Sequence, residues 1–553
     1  MIKRKLTLFL LFALFLTSAD AIVRKEVRTF KKQDNGYTME YSRTMKRLGE
    51  FARNYWADPR ILLEEGQIFK LQKAYTVNSR GKKIEVTPEA IHKLTPAGLQ
   101  RYPYFSFLQE KTINFLGIDL PSESTLSYTL TVKDEPIDEV FYLEEPALSK
   151  EKTWKFLGFD RVFFDSPGET PEINNIEIAS EKGIQIRFKN LPPYPPEPHQ
   201  PRPGILIVST RTGWKELGEM IFNIFSQEEG LSKESLSLID GNDAFSILEN
   251  VRNAIEKVTI PMKYSIFKAR SGEEAFRSRY ASPAELALIL MDVYSAKGYK
   301  ALPFLLAGAE RFSEKVPAVS QFDDAGIYLT DLGLYITSDL KPKRTFHNKI
   351  AWVILPSPHF VRFPKIEPSK NKVNIIVNIT DQKIEGEIST EGNFILSGEA
   401  KAQAGKWLQR AGLRTKIKEA KILGQKLTFS GEIELQENTI KLHPDLLLLP
   451  QEPETFALPR ITPIDIGEPF KVNMKINLTT SGNIIYSPTS FSLTKPMGNF
   501  VLRSQKQGEN SFSLEYKIAI KKGVIQPEEA ENLKEIWAAA RDKSTTYIIY
   551  LSK

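Results

Sequence analysis

The chain has 553 residues, a formal charge of +7 and no cysteine. The missing thiol excludes a thiolate nucleophile, a thiolate zinc site, a cysteine-ligated iron–sulfur cluster and a dithiol redox pair. The small positive excess is spread over interspersed lysines and glutamates, which is typical of a solvated mixed-charge surface, so no nucleic-acid partner is predicted.

The first residues have the pattern of an export signal. A basic head of Lys3, Arg4 and Lys5 precedes an 11-residue apolar run at 6–16, and small residues follow at 17–21. Those small residues predict cleavage after Ala21, so residues 1–21 are a predicted signal peptide and the mature chain is expected to be periplasmic or secreted. The apolar run is shorter than the about 20 residues of a membrane-spanning helix, which makes an uncleaved anchor the weaker interpretation. After signal removal no membrane span is predicted.

Residues 22–190 are predicted to form an antiparallel β-sandwich domain. Apolar and polar residues alternate in short runs at 68–72, 125–132 and 183–188, with Pro, Gly and Asn between the runs. Aromatic residues concentrate at 154–164; core packing explains them, and a surface for stacking a carbohydrate or peptide is the alternative.

A proline-rich linker is predicted at residues 191–204, which contain seven prolines. Such a stretch cannot be helical and favours an extended connector. A more specific interpretation, which we favour less, is that this stretch is a peptide ligand for a proline-binding module.

Residues 205–350 change to an α+β pattern. A strand is predicted at 205–209, helices at 214–225 and 243–258, a further helix at 283–297, and a strand at 301–306. The helix at 283–297 is well specified because Ser282 suits the N-cap, Pro283 the first helical position and Glu285 the capping box. Its broad apolar stripe predicts that it is buried in the centre of its domain.

Residues 351–371 are predicted to be a linker, and residues 372–553 a C-terminal β-rich domain with one helix. Alternating runs return at 373–379, 383–388, 426–435, 470–478 and 512–520. A helical pattern at 527–541 and a last strand at 546–551 follow. The whole chain is therefore predicted to be a multidomain α+β protein.

The helix at 283–297, with a loop before it, a Lys-Gly end and a strand after it, resembles the core of the transglutaminase-like superfamily. In active members of that superfamily a Gly-x-Cys motif opens this helix, and the helix N-terminus lowers the pKa of the thiol. Matched residue by residue, the glycine falls on Ala281 and the cysteine on Pro283. The resemblance implies a papain-like α+β domain that has lost its nucleophile, and Ser282 is better explained as a helix cap than as a displaced nucleophile.

The second motif of the superfamily is also altered. Its catalytic histidine falls on Asp324, and the carboxylate that orients the imidazole falls on Asp339. A carboxylate cannot do the work of that imidazole in the same geometry. The resemblance thus implies degenerate positions at Pro283, Asp324 and Asp339, and no catalytic residue.

The order of the domains extends this resemblance over nearly the whole mature chain. Segments 61–66, 104–108 and 122–132 are similar to the domain of unknown function that precedes transglutaminase-like domains in exported bacterial proteins. The segment 523–530 and the helix after it are similar to the β domain that follows them.

Other chemistry has no support in the sequence. The five histidines are His92, His199, His347, His359 and His443, and none lies within a few residues of another, so no metal-ligand spacing is present. Neither a phosphate-binding loop nor a serine-hydrolase elbow is found, and no cofactor is predicted.

We therefore expect an exported, non-catalytic protein that binds a protein, peptide or glycan partner in the cell envelope. A hydrolase or lyase that uses Asp324, Asp339 or other carboxylates is the alternative, and a purely architectural envelope component is the third possibility. Two carboxylates converging in one pocket would favour the enzyme, whereas a cleft filled by side chains would favour the binding role.

Overall fold

The computed structural model describes residues 20–143, 145–167, 175–177, 183–193, 204–226, 230–241, 243–355, 357–396, 398–410, 413–433, 439–441, 464–465, 467–526, 529–542 and 547–550. Within these ranges the chain is a multidomain, strand-rich α+β protein with several sheets and nine α-helices, as predicted at this level of detail. Residues 1–19 of the predicted signal peptide (1–21) and most of the proline-rich linker lie outside the described residues. No described helix is both long enough and apolar enough to cross a membrane.

The N-terminal part contains one short helix and fourteen strands. They are α1 (Glu50–Tyr55), β1 (Ala21–Lys32), β2 (Tyr37–Arg47), β3 (Arg60–Glu64), β4 (Ile68–Val77), β5 (Lys83–Glu85), β6 (Ile91–Leu94), β7 (Leu108–Ile113), β8 (Ser122–Val132), β9 (Asp138–Tyr142), β10 (Leu148–Leu157), β11 (Phe163–Asp165), β12 (Asn175–Glu177), β13 (Gly183–Leu191) and β14 (Ile205–Ser209).

Eight of these strands form one sheet in the order β12-β13-β10-β1-β2-β8-β4-β5. The strands β1 and β10 run parallel, so the sheet is mixed, and the prediction of a purely antiparallel domain is wrong at this pair. Apolar and polar residues alternate in the same way in both strand orientations, so the sequence pattern could not reveal the direction of β10.

Two smaller sheets pack against the large one and make the layered arrangement. The sheet β3-β7-β6 contributes Ile113 to a buried cluster with Tyr41 and Tyr128 of the large sheet. The sheet β11-β14-β9 packs through Leu206 against Trp154 of β10. We predicted β14 to open the central domain, yet it pairs with β9 and β11, so the boundary at residue 205 divides a single sheet.

The central part carries six helices and eight strands. They are α2 (Trp214–Ser226), α3 (Lys233–Ser237), α4 (Ala244–Ala254), α5 (Met262–Phe267), α6 (Gly272–Ser278), α7 (Pro283–Ala296), β15 (Glu256–Lys257), β16 (Tyr280–Ala281), β17 (Ala301–Gly308), β18 (Asp324–Leu329), β19 (Leu334–Thr337), β20 (Pro342–Lys343), β21 (Lys349–Val353) and β22 (His359–Phe363).

Six of these strands form an antiparallel sheet in the order β20-β19-β18-β17-β21-β22. The predicted linker at 351–371 is thus partly wrong, because β22 within it pairs with β21 at the sheet edge. The helix predicted at 243–258 ends at Ala254, and residues 256–257 instead form β15.

The central helix α7 forms as predicted. Ser282 and Glu285 make a capping box, and Pro283 occupies the first turn. Ten of its fourteen residues are buried, and the helix packs on β17 and β18. A helix enclosed on most sides is apolar around most of its circumference, which explains its dense Ala and Leu content.

The C-terminal part contains two helices and thirteen strands. They are α8 (Ala400–Arg410), α9 (Ala530–Arg541), β23 (Lys372–Thr380), β24 (Lys383–Thr390), β25 (Thr415–Leu423), β26 (Lys426–Ile433), β27 (Thr439–Lys441), β28 (Ile464–Asp465), β29 (Phe470–Thr479), β30 (Ile484–Tyr486), β31 (Phe491–Lys495), β32 (Gly498–Lys506), β33 (Ser511–Ile520), β34 (Val524–Ile525) and β35 (Tyr547–Tyr550).

The main C-terminal sheet has the order β25-β26-β24-β23-β29-β33-β32-β31. Ala404 of α8 and Ile536 of α9 share its buried apolar cluster, so both helices pack on the sheet. The five predicted strands correspond to β23, β24, β26, β29 and β33, and the predicted last helix corresponds to α9. The helix α8 has no counterpart among the predicted elements.

One carboxyl on the central helix is held in an unfavourable environment. Burial raises the pKa of Asp292 to about 6, and the nearby Glu273 carboxylate adds to the rise. The backbone N–H of Leu231 donates to the Asp292 carboxylate at 3.1 Å, and this hydrogen bond partly offsets the rise in pKa. Between pH 3.8 and about 6, Asp292 therefore holds a proton more tightly in the folded protein than in the unfolded chain.

Replacing Asp292 should stabilise the protein at neutral pH. A raised pKa in the folded state makes stability fall as pH rises from the ordinary value of 3.8 to about 6. We expect Asp292→Asn to raise the free energy of unfolding by about 1–2 kcal/mol at pH 7 and to have little effect near pH 4. Urea unfolding at several pH values measures this, with exposed Asp34→Asn as the matched control. An equal effect at both pH values would contradict the assignment.

Candidate functional site

The first turn of α7 holds Pro283, the residue that the sequence resemblance matched to a nucleophile position. Pro283 is buried there, and Ser282 is fully buried. The N–H of Ala284 donates to Ser265 Oγ at 2.9 Å, and the N–H of Glu285 donates to Ser282 Oγ at 3.5 Å. A helix start binds an anion through free N–H groups, and here these amides already have partners in the chain.

A buried ion pair fastens this helix start to the loop before α6. The carboxylate of Glu285 accepts from Arg270 Nε at 2.8 Å and from Arg270 Nη2 at 3.1 Å, a two-pronged contact. The same carboxylate accepts from the backbone N–H of Arg270 at 2.9 Å and of Ser282 at 2.7 Å. Since both charged side chains are almost wholly excluded from water, the geometry of the pair determines whether it is stabilising.

The remaining donors of Arg270 are also used. Its Nη1 donates to Ser278 Oγ at 2.8 Å, and its Nη2 donates to the carbonyl of Tyr280 at 2.8 Å. The guanidinium lies 4.6 Å from the centre of the Tyr280 ring. Arg270 therefore connects α6, β16 and α7 in a single network.

An aromatic segment of the N-terminal part, residues 102–107, covers this network. The guanidinium of Arg270 lies 4.5 Å from the Tyr104 ring centre and 5.5 Å from that of Phe105, which is buried. The backbone N–H of Tyr104 donates to Tyr280 Oη at 3.2 Å, and Tyr104 Oη donates to the carbonyl of Lys268 at 3.0 Å. Side chains from two parts of the chain thus fill the surroundings of the helix start.

Asp324 lies near the start of α7, and Lys257, which the sequence patterns did not indicate, lies between them. Ala281, two residues before Pro283, pairs with Lys257 in the β15–β16 ladder. The Nζ atom of Lys257 lies 4.0 Å from Asp324 Oδ1, at the start of β18. Lys257 was predicted to be helical and carries no motif, so no sequence signal pointed to it.

Burial raises the pKa of the Asp324 carboxyl, and the charge of Asp339 contributes to the rise. Lys257, the Ser338 hydroxyl and the backbone N–H of Ala325 act in the opposite direction. Ser338 Oγ donates to Asp324 Oδ1, and the Ala325 N–H donates to the same oxygen at 2.9 Å. The Asp324 carboxyl is therefore close enough to Asp339 for the two charges to interact.

Asp339 is held by its own turn. Its Oδ1 accepts from the Thr337 hydroxyl and from the backbone N–H of Lys341 at 3.2 Å. These local bonds orient the Asp339 carboxylate within the turn after β19.

The histidines occupy other places. The Nδ1 atom of His347 accepts from the backbone N–H of Ile366 at 2.8 Å, and its ring lies against Gly523 of the C-terminal part. His92 is on β6 and His359 is on β22, whereas His199 and His443 lie outside the described residues. Among the residues whose placement is described, no three His, Asp or Glu side chains are grouped to bind a metal ion.

A separate polar cavity of about 620 Å³ lies in the N-terminal part. The turn between β1 and β2 forms one wall with Asp34 and Asn35, and Phe159, Arg161 and Arg211 stand on the other walls. None of Pro283, Asp324 and Asp339 lines it. A ligand in this cavity would therefore not contact those three residues.

Comparison with known proteins supports the architecture. No curated protein matches the chain. Residues 450–550 match DUF3858, a family described as a domain of unknown function with a solved structure, which is less than half of the chain. A solved structure from Parabacteroides distasonis, described as a "putative protease", has a TM-score of 0.67 and 15% identity, and the match covers 96% of this chain and 99% of that one. This likeness shows a shared overall fold.

Another solved structure gives a much weaker match. Legionella pneumophila aminopeptidase A in complex with aspartic acid has a TM-score of 0.19 and 10% identity, over 35% of this chain and 21% of that one. A score this low does not indicate a common fold.

Removing Arg270 should strongly destabilise the protein. Arg270→Met leaves the Glu285 carboxylate buried without its cation, and we expect a loss of about 3–5 kcal/mol in the free energy of unfolding. The control is Arg53→Met, which breaks the exposed pair between Arg53 and Glu50 and should cost less than about 1 kcal/mol. Urea unfolding monitored by tryptophan fluorescence measures both. Similar losses in the two variants would show that the buried pair has no special role.

Proposed function

We propose that the chain is an exported, non-catalytic protein with a transglutaminase-like central domain, and that it binds a protein, peptide or glycan partner in the cell envelope. One observation carries the proposal. The position that corresponds to the nucleophile holds buried Pro283, at a helix start whose first amides are already bonded. The network of Arg270 and Glu285 and the aromatic segment 102–107 fill its surroundings. A site packed in this way suits a structural role better than turnover.

The polar cavity offers the best place for a partner. It combines the aromatic ring of Phe159 with the amide of Asn35, the carboxylates of Asp34 and Asp134 and the guanidinium of Arg161. Polar and charged side chains line most of the cavity beside the Phe159 ring, a composition that suits a hydroxyl-rich sugar or a polar peptide. Its volume of about 620 Å³ is within the range of such sites.

A carboxylate-based hydrolase is the second candidate. Half-buried Asp324 lies next to Lys257, and burial raises the pKa of its carboxyl, which is the direction of shift that a general acid needs. The solved structure of similar fold is described as a "putative protease", which makes peptide hydrolysis the activity to test first.

A cysteine placed at position 283 should be unreactive. Because the chain has no other cysteine, Pro283→Cys and Leu238→Cys each carry a single thiol. Leu238 is 72% exposed and serves as the control. We expect the thiol at 283 to react with a disulfide reagent at least about 100-fold more slowly than the thiol at 238. A fast reaction with a thiol pKa well below its ordinary range would indicate an open, activating site and contradict the proposal.

A joint assay of binding and turnover separates the two candidates. Short envelope-derived glycan and peptide fragments are titrated into the purified chain, and their cleavage is followed by mass spectrometry. We expect saturable binding without cleavage, weakened at least about tenfold by Phe159→Ala and unchanged by Asp324→Asn. Cleavage that is lost in Asp324→Asn would establish the hydrolase. If the chain neither binds nor cleaves any fragment, both candidates are contradicted.

A further inference from the structure

The residues at the predicted signal cleavage site belong to the folded N-terminal domain. The strand β1 begins at Ala21, which pairs with Arg47 of β2 and is fully buried. The carbonyl of Asp20 accepts from the backbone N–H of Leu48 at 2.7 Å and of Gly49 at 3.2 Å. Two residues that the predicted cut would remove are thus part of a strand and of a turn.

The side chain of Asp20 also fits closely against that turn. A Cβ atom on Gly49 would lie 2.4 Å from the Asp20 carboxyl carbon, so the Asp20 side chain packs directly against Gly49. Gly49 is the N-cap residue of α1. The position of Asp20 is therefore matched to the start of this helix.

Ala21 completes a small apolar cluster. It is buried with Val23 and Met45 of the sheet, Ala52 of α1 and Ala147, and Trp56 packs against them. Removal of Ala21 would open this cluster to water from one side. Buried apolar contacts of this kind contribute to stability even when the group is small.

A chain that began at Ile22 would also place a new positive charge badly. Its α-ammonium group would be on Ile22, which pairs with Lys46 and adjoins the Ala21–Arg47 pair of the ladder. The guanidinium of Arg47 is buried, and within the described residues its Nε and Nη1 have no hydrogen-bond partner. Burial and the charge of Arg43 already lower the pKa of Arg47 to about 10. A new cation next to Lys46 and near this buried guanidinium is unfavourable.

We infer that the export signal is removed by hydrolysis of the Ala19–Asp20 peptide bond, so that the mature chain begins at Asp20. Water adds across this bond, giving a carboxylate on Ala19 and an α-ammonium group on Asp20. Thr17 and Ala19 supply the small residues that such a cut needs at the third and first positions before it. This inference rests on the proposed export of the protein.

The N-terminus of the exported protein tests the inference directly. The full chain is expressed in a bacterium, recovered from the envelope fraction, and analysed by N-terminal sequencing and intact mass. A first residue of Asp20 is the expected result. A first residue of Ile22, or any other internal start, overturns the inference while leaving export intact. A chain that retains Met1 would instead count against the export signal itself.

Two further measurements test the inference, one by changing the cleavage site and one by comparing purified chains. Thr17 is the third residue before the inferred cut, whereas a cut after Ala21 would have Ala19 and Ala21 at the third and first positions before it. Thr17→Glu should therefore abolish processing if the cut follows Ala19. Normal processing of this variant to Ile22 would overturn the inference. Chains released from a fusion to begin at Asp20 or at Ile22 are then compared by thermal unfolding. We expect the shorter chain to melt at least about 3 °C lower, and equal midpoints would overturn the structural argument.

Discussion

The interaction on which the central domain depends is the buried ion pair between Arg270 and Glu285. Its carboxylate is bonded to two amides as well as to the guanidinium, and the guanidinium is bonded to a hydroxyl and a carbonyl. Every strong donor and acceptor is thereby satisfied, which is the condition under which a buried charge pair can be tolerated. The start of α7 is held in one position as a consequence.

The same ion pair joins the N-terminal and central parts of the chain. The aromatic segment at 102–107 lies over the guanidinium of Arg270, and Tyr102 Oη donates to Glu256 at 2.7 Å. Lys268 forms a further ion pair with buried Glu64 of β3 at 2.6 Å. The surroundings of the α7 start are therefore a contact between two parts of the fold.

Several features of the fold followed from local sequence patterns, and others did not. The capping box of α7 and the alternating strands of the C-terminal part depend on neighbouring residues, so they were predictable. The parallel pairing of β1 and β10, and the pairing of β14 with β9, depend on how distant segments meet. Periodicity contains no information on such partners, and for this reason the boundaries at 205 and 351 were misplaced.

The candidate site divides in the same way. The sequence by itself determined that no thiol chemistry is possible, that a proline opens the central helix, and that Glu285 caps it, because these depend on residue identity and near neighbours. Only the tertiary structure decided that Arg270 neutralises Glu285, that Lys257 lies beside Asp324, and that residues 102–107 cover the helix start. Those contacts join residues far apart in the chain, and the energy that selects them comes from burying charges and rings together, which a linear pattern does not record.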